Sequence, residues 1–362
     1  MRKPFFCATA VVAVFICGAA FIGCDSADKR PAAESVAVSV AVETSKTEYL
    51  LGEKVNPDDL SLLVTYDDGS TSVASADEYT IDAKGFSTFV PCEGEVIVTL
   101  KGTALSASYP VRAVRAKTSF KVLAIGNSFS QDCLVHLYAL ADEAGAENIV
   151  LANMYIGGCT LQRHANNMRK DINAYQYQKN TDGTWKNFEG KSLLFGIKDE
   201  QWDVITLQQA SGDSGMIDTY NQDLADLLQF VYINRPSART NVVWNMTWAY
   251  QADSDHADFA KYNNSQSEMY AAIEECVEKK IKSNKLIQYV IPTGCVIQTL
   301  REGIMGDTLT RDGYHLSYKQ GRYAGGMTWL KHLTGWDIDG LKCEYAGLTD
   351  DELSEIKNAV NR

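Results

Sequence analysis

The chain has 362 residues, with 34 basic against 46 acidic side chains and a formal charge of −12 at pH 7. A composition 45% hydrophobic and 10% aromatic buries a sizeable core, which excludes general disorder, and the length favours two domains over one. The acidic balance, with no basic stripe carrying interleaved aromatics, argues against a phosphate-backbone partner, so no nucleic-acid binding is expected.

Met1-Arg2-Lys3 precedes an uncharged apolar run from Pro4 to Gly23 that ends at Phe21-Ile22-Gly23-Cys24, the pattern of an export signal. It resembles a bacterial lipoprotein signal, in which small or aliphatic residues precede a cysteine lipidated after cleavage. Gly23 and Cys24 fit that motif, while Phe21 and Ile22 stand where Leu and a small residue are usual. The resemblance implies a signal over residues 1–24, lipidation of Cys24, and a mature protein tethered to the membrane in the bacterial cell envelope. An uncleaved N-terminal anchor would export the rest of the chain equally. Residues 25–34 are polar and read as a short leash. Beyond the signal, Cys92, Cys133, Cys159, Cys276, Cys295 and Cys343 are scattered with no C-x-x-C pair. Metal-ligand spacing is absent, and they read mostly as small buried apolar residues.

Between residues 35 and 116 the hydrophobic pattern has period two. Val36 to Val42, Leu60 to Tyr66, Glu95 to Lys101 and Leu105 to Val114 are runs rich in β-branched residues, punctuated by turn signals such as Asp67-Asp68-Gly69-Ser70. Several short strands in this length predict a small sandwich. The phrases Lys46-Thr47-Glu48-Tyr49 with Gly52-Glu53, and Val64-Thr65-Tyr66-Asp67-Asp68-Gly69-Ser70, resemble the bacterial Ig-like domains of surface proteins. That resemblance implies a structural stalk with no catalytic constellation.

After the polar joint Arg115 to Ser119 the period changes, and residues 117–362 read as a second domain. Phe120 to Ile125 is a short buried strand, Gly126-Asn127-Ser128 a turn, and Leu134, Leu137, Leu140 and Ala141 recur at helical spacing. Further strands are expected at Asn148 to Ile156, Val204 to Leu207, Asn241 to Met246 and Leu286 to Ile291, each separated by enough chain for a helix. This alternation predicts an α/β fold whose mostly parallel sheet is covered by helices on both faces. A hairpin is expected from Ala174-Tyr175-Gln176-Tyr177 to Thr184-Trp185-Lys186-Asn187 around Asp182-Gly183, where it could wall a cleft. Thr349 to Glu352 is a capping box that opens a terminal helix.

Functional groups of such sheets gather at the carboxyl ends of the strands. There the chain places Gly126-Asn127-Ser128, Gly157-Gly158-Cys159-Thr160, Gln208-Gln209, Asn245-Met246-Thr247-Trp248 and, near the C-terminus, Asp312-Gly313-Tyr314-His315. A serine exposed at a helix start attacks a carbonyl when a base removes its proton, and an Asp three residues before a His orients that imidazole. Ser128, His315 and Asp312 therefore read as nucleophile, base and orienter. The N–H groups of Ser128 and Gly158 read as oxyanion donors. The duller readings are a Ser128–Gln131 capping box, a plain Gly157-Gly158 turn, and a loop histidine. His136 suits a helix surface, His332 a packed helical stretch, and Asp253, Asp255, His256 and Asp258 a solvated loop rather than a metal site.

The order of these blocks resembles the SGNH hydrolase superfamily. From about Phe120 to Trp336 it is closest to an uncharacterised SGNH-like family of bacterial surface proteins, through the phrases Ala124-Ile125-Gly126-Asn127-Ser128-Phe129-Ser130, Ile156-Gly157-Gly158-Cys159-Thr160-Leu161 with Arg163-His164, Trp202 to Gln209, Trp248-Ala249-Tyr250-Gln251 and Arg311 to Ser317. The resemblance implies an SGNH-hydrolase, flavodoxin-like three-layer sandwich with a parallel sheet. It also implies a carboxylic ester hydrolase that removes acetyl or other short acyl groups from carbohydrate and needs no metal or organic cofactor. Two departures stand out: Gly-Asn-Ser replaces the usual Gly-Asp-Ser, and Gln208-Gln209 replaces the usual Gly-x-Asn-Asp block. A related carbohydrate-esterase group uses Gln here, which makes Gln209 the expected side-chain oxyanion donor and Gln208 its alternative, since strand neighbours face opposite ways. Trp248 and Tyr250, together with Gln208, Asn245 and His164, are the expected substrate contacts. Two other readings stay open: a glycan-binding protein on a degenerate hydrolase fold, and an acyltransferase acting on envelope polysaccharide.

Overall fold

The computed structural model describes residues 35–362 apart from Ser45, Lys84, Tyr345 and Ala346. The expected signal, Cys24 and the polar leash lie outside the described residues, among which no helix is long and apolar enough to cross a membrane. The chain divides into two compact units, the first ending at Val114 and the second beginning at Arg115.

The first unit is all-β. Strands β1 (Ala37–Thr44), β3 (Leu60–Tyr66) and β4 (Thr71–Ala74) form one sheet. The other contains β2 (Glu48–Leu50), β7 (Ser106–Val114), β6 (Cys92–Leu100) and β5 (Tyr79–Asp82) in that order. Alternation turns one side of each strand inward, and Val40, Leu62, Val64, Val96, Val98 and Tyr109 make the core. The four runs with period two all become strands. The short β2, β4 and β5 carry three or four residues each, too few to show alternation.

The second unit is an α/β fold around a seven-stranded sheet in the order β11-β10-β9-β8-β12-β13-β14. Its parallel part joins β8 (Phe120–Gly126), β9 (Ile149–Tyr155), β12 (Val204–Leu207), β13 (Asn241–Asn245) and β14 (Val290–Ile291). These strands are buried on both faces, so they read as continuous apolar runs. The expected hairpin forms as β10 (Tyr175–Asn180) and β11 (Trp185–Lys191), and β10 extends the sheet antiparallel to β9. The helices are α1 (Ser128–Leu134), α2 (Leu137–Glu143), α3 (Leu161–Arg169), α4 (Leu193–Lys198), α5 (Gln222–Asn234), α6 (Gln266–Cys276), α7 (Thr293–Arg301), α8 (Gln320–Thr334) and α9 (Asp350–Val360). They cover both faces. On β9, Asn153 meets Ser130 of α1, while the adjacent Met154 lies so close to Gly196 of α4 that any side chain there would collide with it. Thr349 and Glu352 form the expected capping box of α9.

The entry to this unit is tied down by a buried cation. Arg115 pairs with Asp203 at 3.3 Å and donates to Leu333 O and to Asn241 Oδ1. The other Asp203 oxygen accepts from Lys121 N at 2.8 Å. A fragment starting at Arg115 is expected to unfold cooperatively in urea. One starting at Thr118, without those charged hydrogen bonds, should be less stable by about 2 kcal/mol; equal midpoints would show that Arg115 contributes nothing.

Candidate active site

Strand β8 delivers the chain to Gly126 at the carboxyl edge of the sheet, where Asn127 turns it into α1. Asn127, not Ser128, caps this helix, its Oδ1 accepting from Phe129 N at 3.0 Å. The capping-box reading of Ser128 is thus replaced, and the serine hydroxyl is left to face His315. His315 Nε2 lies 2.8 Å from Ser128 Oγ, and Nδ1 lies 2.7 Å from Asp312 Oδ2. The other Asp312 oxygen accepts from His315 N at 2.8 Å and Tyr314 N at 3.3 Å. Burial opposes ionisation of Asp312, but the hydrogen bonds from the His315 side chain and backbone outweigh it and hold the carboxyl below its ordinary value. Asp312 therefore stays an anion and an acceptor, which selects the tautomer with a proton on Nδ1 and leaves Nε2 to accept from the serine.

The loop carrying Asp312 and His315 is held from two sides. Below it, the fully buried Asp132 of α1 pairs with Arg311 at 3.1 Å and with Arg322 Nη2 at 2.7 Å. It also accepts from Leu316 N at 2.8 Å. Beside it, Trp248 Nε1 donates to Tyr314 O at 2.7 Å, and Gln251 N donates to Gly313 O at 2.8 Å. Gly313 has φ +84°, and a Cβ there would come within 2.8 Å of Ser254 Oγ, so only glycine fits. In the expected solvated loop Asp253 and Asp255 are exposed, while the half-buried His256 packs its ring edge-on against Tyr314 at 4.6 Å and tilted against Tyr250.

The carboxyl ends of the strands are joined by buried amides. Asn127 Nδ2 donates to Cys159 O, Gln208 Nε2 donates to Asn127 Oδ1 at 2.9 Å, and Asn245 Nδ2 donates to Gln208 Oε1 at 3.0 Å. Asn245 Oδ1 accepts in turn from Thr293 and Trp329. Gln209 takes a separate course, its Oε1 accepting from Leu161 N at 2.9 Å and Ala210 N at 2.8 Å, and its Nε2 donating one hydrogen to Thr219 Oγ1. Asn127 and Gln209 thus hold the C-terminal side of the 157–160 loop, at Cys159 O and Leu161 N. Within it Gly157 and Gly158 are exposed and Gly158 turns with φ +58°, the left-handed conformation a glycine adopts without strain.

The expected substrate contacts are not brought to an open surface. Trp248 and Tyr250 have no exposed area, and Gln208, Asn245 and His164 retain 1% each. Trp248 stacks on Phe129 at 4.2 Å, Tyr250 bonds Ser211, and His164 meets the Tyr175 hydroxyl. These residues are buried supports and not the open contacts expected, because the side chains at these strand ends are covered by the elements packed over them. Burial lowers the His164 pKa to about 3 and that of His332 to about 4, keeping both neutral. Sequence reasoning missed Asp132 and Arg322; the available signal was an acid directly before the apolar Cys133 and Leu134 of α1.

The second unit is thus a layered α/β fold bearing a hydrogen-bonded Ser-His-Asp constellation at the carboxyl edge of its sheet. Residues 121–353 match the family model described as "Domain of unknown function (DUF4886)", and the chain belongs to that family. Residues 42–113 match the bacterial Ig-like domain (group 3). Among solved structures, the chain is similar to a DUF4886 family protein from Bacteroides uniformis, with 35% identity and a TM-score of 0.64 over 67% of this chain and 93% of that one. A putative SGNH hydrolase from Slackia heliotrinireducens matches at 18% identity and TM-score 0.39, over 59% and 99% of the two chains. An acetyl-xylooligosaccharide esterase mutant from Geobacillus stearothermophilus matches at 12% identity and TM-score 0.39, over 61% and 97%. Comparison with curated proteins gives no match.

Asp132→Ala would leave Arg311 and Arg322 without their shared buried carboxylate. The expected cost is about 3 kcal/mol in chemical denaturation, the scale of breaking a buried ion pair; a loss within about 0.5 kcal/mol, as at an ordinary surface site, would overturn the clamp. Asn127→Asp would set a carboxylate oxygen against Cys159 O in place of an N–H donor. It should destabilise by about 1–3 kcal/mol, read from the same titration.

Proposed function

We propose that the protein is a serine ester hydrolase of the bacterial cell surface that removes acetyl or other short acyl groups from carbohydrate. The observation that carries this reading is the unbroken Ser128–His315–Asp312 hydrogen-bonded line, with Ser128 and His315 only partly buried beside the exposed Gly157-Gly158 turn. Ser128 Oγ attacks the ester carbonyl carbon while His315 Nε2 takes its proton, and Asp312 stabilises the imidazolium that results. The N–H groups of Ser128 and Gly158, with the second Gln209 Nε2 hydrogen, receive the oxyanion. Collapse of the tetrahedral intermediate expels the sugar alkoxide, which His315 reprotonates. Water then attacks the acyl-enzyme by the same route, releasing the carboxylic acid and restoring Ser128. The Ig-like unit supports a location outside the cell, and the N-terminal pattern supports a lipid anchor at Cys24.

Labelling with an organophosphonate tests this directly. Wild type should form one covalent adduct on Ser128 and Ser128→Ala none, while His315→Ala should lose several orders of magnitude in turnover of 4-nitrophenyl acetate. Gln209→Ala should lower kcat by roughly a hundredfold, the scale of one oxyanion donor. If Ser128→Ala hydrolyses the ester as fast as wild type, the catalytic reading fails and a glycan-binding role replaces it.

A further inference from the structure

A cavity of about 320 Å³ opens along α1, lined by Gln131 and Leu134 of that helix, Gln178 of β10, Trp185 and Asn187 of β11, and Arg322 of α8. Its volume reaches the lower end of the range for small-molecule sites, about 300 Å³. Gln131 follows Ser128 by three residues on the same helix, so the cavity begins about 4.5 Å of helix rise below the nucleophile, on a shared face. Register places the hairpin residues on the same side of the sheet. Asn153, which meets Ser130 of α1, donates to Gln178, and Asn187 is the partner of Gln178 across the hairpin.

The chemistry of the lining is specific. Trp185 Nε1 is buried and has no hydrogen-bond partner, and a buried donor left unmade is costly enough to call for an acceptor in the space it lines. Three amide side chains offer both donors and acceptors. Arg322 turns Nε and Nη2 onto Asp132, which neutralises much of its charge and leaves further N–H groups. Leu134 and the indole provide apolar surface, and no carboxylate lines the space, so nothing there favours a cation. Apolar CH surface with paired donors and acceptors around it is the complement of a hydroxylated ring.

We propose that this cavity is a sugar subsite, in which Trp185, Asn187 and Gln131 hold the saccharide ring whose acyl group is presented to Ser128. The proposal rests on the esterase reading for its substrate and adds the position of the sugar and the residues that select it. The hairpin then acts as a specificity element, since it supplies three of the lining residues while contributing none of the proposed catalytic groups.

The test compares full-length wild type, Trp185→Phe, Trp185→Ala and Asn187→Ala on two kinds of ester. These are 4-nitrophenyl acetate and a panel of O-acetylated xylose, mannose and N-acetylglucosamine trisaccharides. On the best saccharide, Trp185→Ala should lose at least tenfold more kcat/KM than on 4-nitrophenyl acetate, mainly through KM. Trp185→Phe, which keeps a ring and loses the N–H, should fall between wild type and Ala. Equal losses on both esters would overturn the subsite, as would a wild type that cleaves 4-nitrophenyl acetate and none of the saccharides; either leaves the esterase reading standing. If Ser128 takes no phosphonate and neither ester is cleaved, the esterase reading fails. The subsite is then decided by titrating the unacetylated trisaccharides against tryptophan fluorescence: a saturable change lost in Trp185→Ala upholds it, and no change overturns it.

Discussion

The site depends on one buried carboxylate. Asp132 follows Ser128 by four residues, so α1 presents the Ser128 hydroxyl at its first turn and, on the same face a turn further on, an anion. That anion is matched by Arg311 and Leu316 N, which bracket the Asp312–His315 segment, and by Arg322 at the start of α8. A charged group with no exposed area is stable only while all of these partners are in place. The clamp therefore has little freedom to drift, and a 2.8 Å contact between residues 187 positions apart needs such rigidity, since positioning errors of about half an ångström already impair a catalytic set.

The amide relay does for the 157–160 loop what Asp132 does for the Asp312–His315 segment. Asn127 serves at once as helix cap, acceptor for Gln208 and donor to Cys159 O. An amide has a donor and an acceptor end whereas a carboxylate only accepts, which is why asparagine rather than aspartate suits this position here. Gln208 and Gln209 divide by strand alternation: one joins the ends of β8 and β13, the other reaches the glycine loop and Thr219. Both glutamines are buried and hydrogen-bonded, which fixes the orientation of their amides.

Much of this was legible from pattern. The apolar runs at Phe120, Val204 and Asn241 are short and buried on both faces, hence the parallel sheet, and Ser128, Asp312 and His315 could be grouped because polar residues that follow strand ends meet at one edge of such sheets, where the three lie within hydrogen-bond reach. Trp248 and Tyr250 were misread as sugar-facing because a ring after a strand looks the same in sequence whether it packs on Phe129 or faces a ligand. The hairpin was visible from Asp182-Gly183, yet the cavity it makes with α1 was not, because a cavity is a property of two surfaces.

By itself the sequence determined the order and type of the elements, the placing of reactive residues after strand ends, and the division between an Ig-like and an α/β unit, since each follows from local periodicity and turn chemistry. Tertiary structure alone decided which charges are buried together, which glutamine joins which strand end, and which aromatics are hidden. Asp132 and Arg322 are 190 residues apart. Their pairing depends on desolvation and on geometry created only when α1 and α8 pack on the same sheet, and no local pattern along the chain carries that information.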